Sequence, residues 1–310
     1  MKALVTGGAG FIGSHLVDRL VDESDEVLVI DDLSTGHVDH LARALRTGSV
    51  KLHQMDVRDP NLLTVMRRFG PDAVYHLAAQ ASVPVSVADP VADADINVLG
   101  TINVLEAAHR SGVTSFVFAS SGGAIHGAGS TLPAKESHKP RPDAPYGVAK
   151  LAAQYYVELY ERVHALSAVT LAPANVYGPR QNATAEGGVV AIFARTLLAG
   201  RPATIFGDGT QTRDFVYVTD VVDAFVRAAR ARRVSGRTFH VATGIETTIK
   251  DLHSLMARLL GTTDRPIMAD PKPGDIHRSV LDPSAAAAGL DWTAWTPLER
   301  GVATTLTSFS

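Results

Sequence analysis

A glycine-rich loop near the N-terminus constrains this 310-residue chain more than any other segment. The loop, Gly7 to Gly13, follows a short apolar run at 3–6 and leads into a periodic apolar segment that begins at Phe11. A strand, a glycine turn and a helix in this order predict a phosphate-binding β-α unit. Gly7 permits the tight turn, Gly10 lets the backbone approach a pyrophosphate, and Gly13 lets the helix pack closely on the strand.

The same alternation of strand and helix continues through the first half of the chain. It predicts an α/β fold, a doubly wound parallel sheet (Rossmann) with a smaller, interleaved C-terminal α/β substrate domain. We place the sheet domain at 1–172, plus about 212–243, and the substrate domain at 173–211 and 244–310. Strands are predicted at 3–6, 26–30, 51–54, 73–76, 115–119, 168–171, 214–218 and 238–241. Helices are predicted at 11–21, 60–69, 95–111, 146–163, 189–198 and 221–230, with two more and a Pro-rich loop (266–274) after residue 249.

Acidic residues at the end of the second strand identify the ligand that the loop would bind. Asp31 follows the glycines by about 20 residues, where a carboxylate accepts both ribose hydroxyls of adenosine and repels a 2′-phosphate. This favours NAD over NADP, while a glycine turn beside a solvated surface acid is the alternative. Asn97 either contacts the cofactor or fixes a loop backbone. The predicted cofactor-binding residues are Gly7, Gly10, Phe11, Ile12, Gly13, Asp31, Asp32, Ser34, Thr35, Gly36, Asp56, Val57, Leu77, Ala78, Ala79, Gln80, Asn97, Ala119, Ser120, Tyr146, Lys150 and Pro173.

The composition excludes several classes of function. The net charge of −3 provides no field that would attract nucleic acid or an anionic membrane. The chain has no cysteine, which excludes disulfides, thiolate metal sites and cysteine nucleophiles, and we predict no metal site. It begins in a strand and has no apolar run of about 20 residues, so a cytoplasmic location is expected.

Tyr146 and Lys150 lie four residues apart, and on a helix they share one face. A free tyrosine titrates near pH ~10, too high for a base at neutral pH. A nearby ammonium and a cationic nicotinamide ring would lower that pKa, so the pair suits acid–base chemistry beside an oxidised cofactor. Such a spacing also arises by chance on helix surfaces.

Several ordered motifs run nearly end to end and give the chain a family resemblance. Besides the glycine loop and the Tyr146/Lys150 pair, they are His76-Leu-Ala-Ala-Gln80, Ser120-Ser-Gly-Gly123, Asn175-Val-Tyr-Gly-Pro-Arg-Gln181, Gly207-Asp-Gly-Thr-Gln-Thr-Arg-Asp214 and Pro273-Gly-Asp275. With these, the chain resembles the extended short-chain dehydrogenase/reductase family, and most closely its nucleotide-sugar 4-epimerases.

The resemblance implies an NAD-dependent isomerase. Tyr146 would take the proton of the sugar 4-hydroxyl while C4 gives its hydride to NAD⁺, and Lys150 would bind the nicotinamide ribose. The 4-keto sugar would then rotate and regain the hydride on its other face. Relatives also form homodimers through helices that correspond to 95–111 and 146–163.

The segment 120–127 separates the reactions known in this family. Dehydrating relatives carry an Asp-Glu pair after the serines and decarboxylating relatives carry a Glu, whereas this chain has glycine and alanine there. Epimerisation is therefore expected. Gly122 stands where relatives place a catalytic Ser or Thr, so either Ser121 or a water would contact the sugar 4-oxygen. His126 replaces a usual Tyr and is expected to pack in the core.

The resemblance also assigns a substrate site. Asn175 would bind the diphosphate, Arg213 would pair with its oxygens unless it is a surface ion-pair partner, and Arg278 would assist Lys272 at the phosphates. Ser279 leaves room for an N-acetyl group at C2, and 182–186 has no cation for a C6 carboxylate. The predicted substrate-binding residues are Ser121, Gly122, Tyr146, Asn175, Val189, Phe206, Arg213, Lys272, Asp275 and Arg278.

The expected activity is NAD-dependent 4-epimerisation of a UDP-hexose, UDP-glucose or UDP-galactose, with the N-acetyl forms as further candidates. Three alternatives stay open at this point. They are 4-epimerisation of UDP-glucuronate or a TDP-sugar, net NAD-dependent oxidoreduction, and a non-catalytic dinucleotide sensor, which would not need the Tyr146/Lys150 pair.

Overall fold

A seven-stranded parallel sheet forms the centre of the structure, a computed structural model that describes residues 1–129, 131–183, 188–263, 265–271 and 276–310. The strands are β1 (Lys2–Thr6), β2 (Glu26–Asp31), β3 (Val50–Gln54), β4 (Ala73–His76), β5 (Ser115–Ala119), β6 (Ala168–Pro173), β7 (Asn175–Tyr177), β8 (Thr204–Phe206), β9 (Thr212–Arg213), β10 (Phe215–Tyr217), β11 (Thr238–Val241), β12 (Thr247–Thr248) and β13 (Ile267–Ala269). The sheet has the order β11-β6-β5-β4-β1-β2-β3, and all its pairs are parallel.

Helices cover both faces of this sheet. They are α1 (Phe11–Asp22), α2 (Ala42–Leu45), α3 (Leu62–Phe69), α4 (Val83–Ala88), α5 (Pro90–Ala94), α6 (Gly100–Arg110), α7 (Gly122–His126), α8 (Pro145–His164), α9 (Val189–Leu198), α10 (Val218–Arg230), α11 (Ile249–Leu260), α12 (Ser284–Leu290) and α13 (Leu298–Phe309). A 3₁₀ turn at Val38–Leu41 precedes α2, and a π turn at Asp95–Leu99 joins α5 to α6.

The strands read as continuous apolar runs because both faces of the sheet are buried. On β1, Leu4 packs into one core with α3, α6 and α8, while Val5 packs into the other with α1 and α10. Both side chains are fully buried. Parallel strands need this two-sided cover, so the predicted doubly wound sheet is confirmed.

A smaller core of α9, α11 and α13 sits beyond the carboxyl ends of the strands, around Phe193 and Leu252. Here β10 pairs with β7 rather than with the large sheet, whereas β11 pairs with β6 at the sheet edge. Within the segment 212–243, β10 thus pairs outside the large sheet and β11 pairs inside it. The domain bounds stated from the sequence stay a prediction.

Two predicted helical regions differ from the structure. The helix expected at 95–111 is preceded by α5, which starts at Pro90 and is capped by Asp89, whose side chain accepts a hydrogen bond from the Ala92 N–H. The π turn then shifts the helix register, which an apolar period cannot reveal. After residue 249 the described residues contain three helices rather than two, and β13 lies within the expected Pro-rich loop.

Candidate active site

A cavity of about 1180 Å³ opens at the carboxyl ends of β1, β2, β4 and β5. The order of strands reverses at this edge, which is where doubly wound sheets bind their ligands. Apart from Asn97, all the residues predicted to bind the cofactor line this cavity, from Gly7 on the first loop to Pro173 at the end of β6. The cavity also takes in residues from the last turn of α13, Ser308 and Phe309.

The glycine loop is shaped by contacts that leave no room for side chains. Gly7 has a φ of +69°, and a Cβ there would lie 2.7 Å from the Ala78 backbone nitrogen. A Cβ at Gly13 would lie 2.1 Å from the Gly7 carbonyl oxygen. Gly10 precedes α1 without any side-chain cap, so the first N–H groups of this helix face the cavity with no internal competitor for an anion.

Asp31 holds the loop from the end of β2. Its carboxylate accepts hydrogen bonds from the N–H groups of Ala9 and Leu33, both at 2.9 Å. Burial raises the pKa of this carboxyl, and the two N–H groups oppose the rise. Gly36 faces it closely, since a Cβ at that position would lie 2.8 Å from Asp31 Oδ1. A buried carboxylate on a glycine loop fits an adenosine ribose, so the residues present suit NAD.

Lys150 lies on α8, where its ammonium group is almost wholly buried. The side chain is 3% exposed, and Nζ donates a hydrogen bond of 2.9 Å to the Ala119 carbonyl oxygen. Nζ also lies 5.0 Å from the Phe118 ring centroid and 6.0 Å from that of Tyr146. Burial lowers the pKa of Lys150 to about 8, and Asp93 opposes this change.

Tyr146 faces the same cavity, one helical turn before Lys150. Burial raises its pKa to about 12, Ser121 lowers it through a hydrogen bond, and Asp93 raises it. In the protein by itself burial sets the direction of this shift, so the lowering expected from Lys150 together with an oxidised nicotinamide ring stays a prediction. A phenolate here requires additional positive charge, such as that of an oxidised nicotinamide ring.

Ser121 and Gly122 settle where a hydroxyl fits beside Tyr146. Gly122 is buried at the start of α7, and a Cβ there would lie 2.3 Å from Leu281 Cδ1 and 3.0 Å from the Ala172 carbonyl oxygen. A serine or threonine at residue 122 would collide with both groups. The neighbouring Ser121 has a hydroxyl, and its side chain hydrogen-bonds Tyr146.

Asn97 lies behind the cavity wall rather than on it. The residue is 1% exposed in the π turn, and its amide donates to the Gln80 carbonyl oxygen and to Asp93 Oδ1, both at 2.9 Å. Its assignment as a cofactor contact is therefore wrong. The alternative weighed from the sequence, that it fixes a loop backbone, matches these contacts.

His126, which was predicted to pack, and His76 are both buried. His76, at the end of β4, lies between Thr6 Oγ1 at 2.7 Å and Thr101 Oγ1 at 3.0 Å, and burial lowers its pKa to about 3. His126 Nε2 lies 3.1 Å from His240 Nε2, and burial lowers the pKa of both rings to about 4. Both therefore serve the core as neutral rings at neutral pH.

A second cavity of about 690 Å³ lies beside β8 and β13. Phe206 lines it together with Gln211 and His277. Arg213 points to the neighbouring turn, where Nη1 donates to the carbonyl oxygens of Thr212 and Ile276 at 2.7 and 2.6 Å. Arg213 is not among the residues that line this cavity, whereas the Phe206 ring and the Gln211 amide are.

The other predicted substrate residues have different settings. Arg278 is already neutralised by Glu246, to which Nε and Nη2 donate at 3.0 and 2.5 Å. This pair lowers the pKa of Glu246 to about 2, so Arg278 is not a free phosphate ligand. Asn175 is exposed at the start of β7, and Val189 begins α9. Lys272 and Asp275 lie outside the described residues, as does most of 182–186.

Sequence reasoning missed several residues that line the larger cavity. Arg180 is held there by Asp18 on α1, with Nη2 donating to Oδ2 at 2.7 Å. His37 and His40 stand beside the glycine loop, and His40 Nδ1 lies 3.0 Å from the Ala9 carbonyl oxygen. Arg180 lies in the motif at 175–181, so its positive charge could have identified it from the sequence. His37 and His40 lie in none of the motifs.

The described residues show neither a membrane-spanning helix nor a metal-binding cluster. None of the helices there combines the length and apolar character needed to cross a membrane. The same residues hold no group of three or more His, Asp or Glu side chains arranged to bind a metal ion.

A sequence model of the NAD dependent epimerase/dehydratase family matches residues 3–242. The chain belongs to this family. The match covers the glycine loop, the Tyr146/Lys150 pair and the sheet. The fold and the family resemblance inferred from sequence are thereby confirmed.

Named relatives extend over the whole chain. The UDP-glucose 4-epimerase of Mycolicibacterium smegmatis is 44% identical over 309 residues, which span 100% of this chain and 98% of the relative. A solved UDP-glucose 4-epimerase from Thermotoga maritima, with UDP-glucose, has a TM-score of 0.96 at 40% identity, covering 100% of this chain and 98% of that one. A Thermus thermophilus UDP-glucose 4-epimerase with NAD has a TM-score of 0.91 at 40% identity, covering 100% and 99%.

Proposed function

We propose that this protein is an NAD-dependent 4-epimerase of UDP-hexoses that interconverts UDP-glucose and UDP-galactose. One observation carries the proposal: Tyr146 and Lys150 both line the cavity that the glycine loop and Asp31 form, and Ser121 hydrogen-bonds Tyr146. Full-length similarity to UDP-glucose 4-epimerases supports the choice of substrate. The N-acetyl forms are further candidate substrates, because the small Ser279 stands at the pocket position inferred for the C2 substituent.

The chain's own residues would act on the sugar C4 hydroxyl. Tyr146 as phenolate takes its proton, Ser121 hydrogen-bonds the tyrosine oxygen, and Lys150 supplies a fixed positive charge nearby. Bound NAD supplies the acceptor and donor of the C4 hydride, and Asp31 with the glycine loop would hold its adenosine and pyrophosphate. Rotation of the 4-keto sugar within the site then allows the hydride to return to the opposite face of C4 and the proton to return to the 4-oxygen.

The residues beside Ser121 support epimerisation over related reactions. Eliminating water from C5–C6 needs an added acid and base, and decarboxylating relatives carry a glutamate near this point. Gly122, Gly123 and Ala124 have no ionisable group, and Gly122 has no space for one. Loss of water or carbon dioxide therefore has no proton donor or acceptor from this segment.

A substrate panel tests the proposal. The purified protein is incubated with UDP-glucose, UDP-N-acetylglucosamine, UDP-glucuronate and TDP-glucose, and inversion at C4 is followed by NMR. We expect UDP-galactose from UDP-glucose, with no net formation of NADH. Inversion of UDP-glucuronate alone would favour the alternative substrate class, and net NADH release would favour an oxidoreductase.

Ser121→Ala is expected to slow epimerisation at neutral pH by about 10- to 100-fold, since hydrogen bonds to charged groups contribute about 1.5–3 kcal/mol. The Ser121 hydrogen bond lowers the pKa of Tyr146, so its loss raises that pKa and moves the ascending limb of the pH–rate profile to higher pH. Ser121→Thr keeps the hydroxyl and should retain most of the rate. An alanine variant with an unchanged profile would assign the 4-oxygen contact to water.

The protein is also proposed to form a homodimer through α8 and its neighbours. Val148, Tyr155, Leu159 and Val163 lie along one side of α8 and are 38–62% exposed. Val91 on the adjacent α5 is 77% exposed. An apolar strip of this kind is typical of a surface that another chain covers. The cytoplasmic location expected from the sequence stays a prediction.

Sedimentation velocity should detect this dimer. We expect the wild-type protein to sediment as a dimer and Tyr155→Glu as a monomer, because the new carboxylate would be buried unpaired at the interface. Ile245→Glu is the matched control, since Ile245 is 65% exposed but lies away from α8. A monomeric wild-type protein, or a dimer in the Tyr155 variant, would refute the assigned surface.

A further inference from the structure

A buried carboxylate, that of Asp93, stands behind the catalytic tyrosine and lysine. Asp93 is 1% exposed on α5, which packs against α8. Its Oδ1 accepts hydrogen bonds from Gln80 Nε2 at 2.8 Å and from Asn97 Nδ2 at 2.9 Å. Within the described part of the chain, Oδ2 has no hydrogen-bond partner although it is buried. Packing alone does not account for a charged side chain in this position, because burial of a carboxylate is unfavourable without compensation.

Lys150 is a buried cation on α8, the helix against which α5 packs. Its ammonium group is 3% exposed, and the hydrogen bond it donates goes to the neutral Ala119 carbonyl oxygen. Asp93 acts on Lys150 through space and raises its pKa against the effect of burial. Burial disfavours the charged form of Lys150, and the negative charge of Asp93 opposes that effect.

Other titratable groups near α8 do not take this role. His76 is a neutral ring at neutral pH and Tyr146 is a neutral phenol in the protein by itself. The other titratable groups described on elements packed against α8 have their own partners. These are Arg58 for Asp95, Tyr160 for Glu106, Glu106 for Arg110, the His164 ring for His109, His240 for His126 and the Ala92 N–H for Asp89.

We propose that Asp93 is a positioning residue whose buried carboxylate keeps the Lys150 amine protonated inside the protein. The inference rests on the proposed function for the role of Lys150. The same carboxylate disfavours a phenolate at Tyr146, so a second positive charge is needed before the tyrosine ionises. With an oxidised nicotinamide bound, the positive charges of its ring and of Lys150 would match the negative charges of Asp93 and the Tyr146 phenolate. After the proton has moved to Tyr146 and the hydride to the ring, the charges of Lys150 and Asp93 would remain and would balance each other.

This balance of charges determines when Tyr146 ionises. In the protein alone the tyrosine stays protonated, and the base forms where a cationic ring lies beside it. Asp93 would thereby couple formation of the base to occupancy by the oxidised cofactor. Gln80 and Asn97 contribute by holding the carboxylate in place, which also explains why Asn97 is turned away from the cavity.

Titration of Lys150 in the protein without substrate tests the proposal. The ε-carbon signal of ¹³C-labelled lysine, assigned by its loss in Lys150→Met, reports the protonation of this amine. We expect a midpoint near pH 8 in the wild type and one lower by at least about one pH unit in Asp93→Asn. The asparagine keeps an oxygen for Gln80 and Asn97. Asp95→Asn, which removes a carboxylate paired with Arg58, should leave the midpoint unchanged. An unchanged midpoint in Asp93→Asn would overturn the proposal.

A second measurement does not depend on how well that variant folds. Wild-type protein labelled at the aspartate carboxyl carbons is titrated with pH and followed by NMR. One carboxyl signal, that of Asp93, should change its chemical shift at the pH where Lys150 titrates. The same change should be absent in Lys150→Met. Absence of such a signal would overturn the proposal. Both titrations are independent of turnover, so failure of the substrate panel and failure of this inference are distinguishable.

The pH–rate profile separates an electrostatic role from a structural one. Asp93 raises the pKa of both Tyr146 and Lys150, so its removal lowers both. The ascending limb, set by the tyrosine, and the descending limb, set by the lysine, should therefore both move to lower pH in Asp93→Asn. A rate lowered equally at every pH, with neither limb displaced, would show a merely structural role and refute the proposal.

Discussion

Tyr146→Phe is expected to reduce the rate of C4 inversion by at least about 100-fold, the lower range for loss of a positioned general base. The phenyl ring keeps the packing of α8 against the cavity but has no oxygen to accept the 4-hydroxyl proton or to bond with Ser121. NAD binding should persist, because the glycine loop, Asp31 and Lys150 are unchanged. Rates with UDP-glucose and NAD content of the purified variant check both expectations.

Tyr160→Phe is the matched control for this substitution. Tyr160 lies on the same helix, is 8% exposed, and its hydroxyl donates to Glu106 Oε2 at 3.1 Å. Its loss is expected to lower the free energy of unfolding by about 1 kcal/mol, the usual contribution of one hydrogen bond, without changing the rate of inversion. If Tyr146→Phe retains wild-type turnover, Tyr146 is not the base and the proposed chemistry fails.

Gly7→Ala is expected to damage both stability and cofactor binding. Gly7 has a left-handed φ of +69°, where a side chain costs about 1–2 kcal/mol, and its Cβ would press on the Ala78 backbone at 2.7 Å. Overpacking of this kind adds about 1–3 kcal/mol. We expect the free energy of unfolding to fall by about 2–5 kcal/mol. NAD affinity should fall by at least about tenfold, which corresponds to about 1.4 kcal/mol.

Gly70→Ala separates the effect of backbone strain from the effect of the close contact that an added Cβ makes at Gly7. Gly70 ends α3 with a φ of +67°, nearly that of Gly7, but no atom lies within 4 Å of an added Cβ. This variant should lose only about 1–2 kcal/mol of unfolding free energy and bind NAD as the wild type does. Denaturant unfolding and calorimetric titration with NAD compare the two. Equal losses in both variants would mean that the contact with Ala78 has no role.

The sheet and the cofactor cavity were predictable from sequence because their signals are local. Buried parallel strands read as short apolar runs, and the predicted bounds of β4 and β5 agree with the structure residue for residue. The strand order brings the ends of β1, β2 and β4 together, so residues from Gly7 to Ala79 reach one cavity.

The rest depended on contacts between distant segments, which spacing does not encode. Arg278 carries the charge expected of a phosphate ligand, but its pairing with Glu246 appears only when β12 meets β9. The upward shift of the Tyr146 pKa comes from burial of its side chain, and the role of Asn97 depends on the π turn. Asp93 belongs to no motif, and its closeness to Lys150 follows from the packing of α5 on α8.

The fate of the C4 hydrogen tests the central claim most directly. UDP-glucose deuterated at C4 is incubated with the protein in ordinary water, and the product is examined by NMR and mass spectrometry. We predict UDP-galactose that retains deuterium at C4, because the hydride leaves and returns within one site while Tyr146 exchanges only the hydroxyl proton. Inversion with loss of the deuterium to solvent, or no inversion at all, would contradict the account.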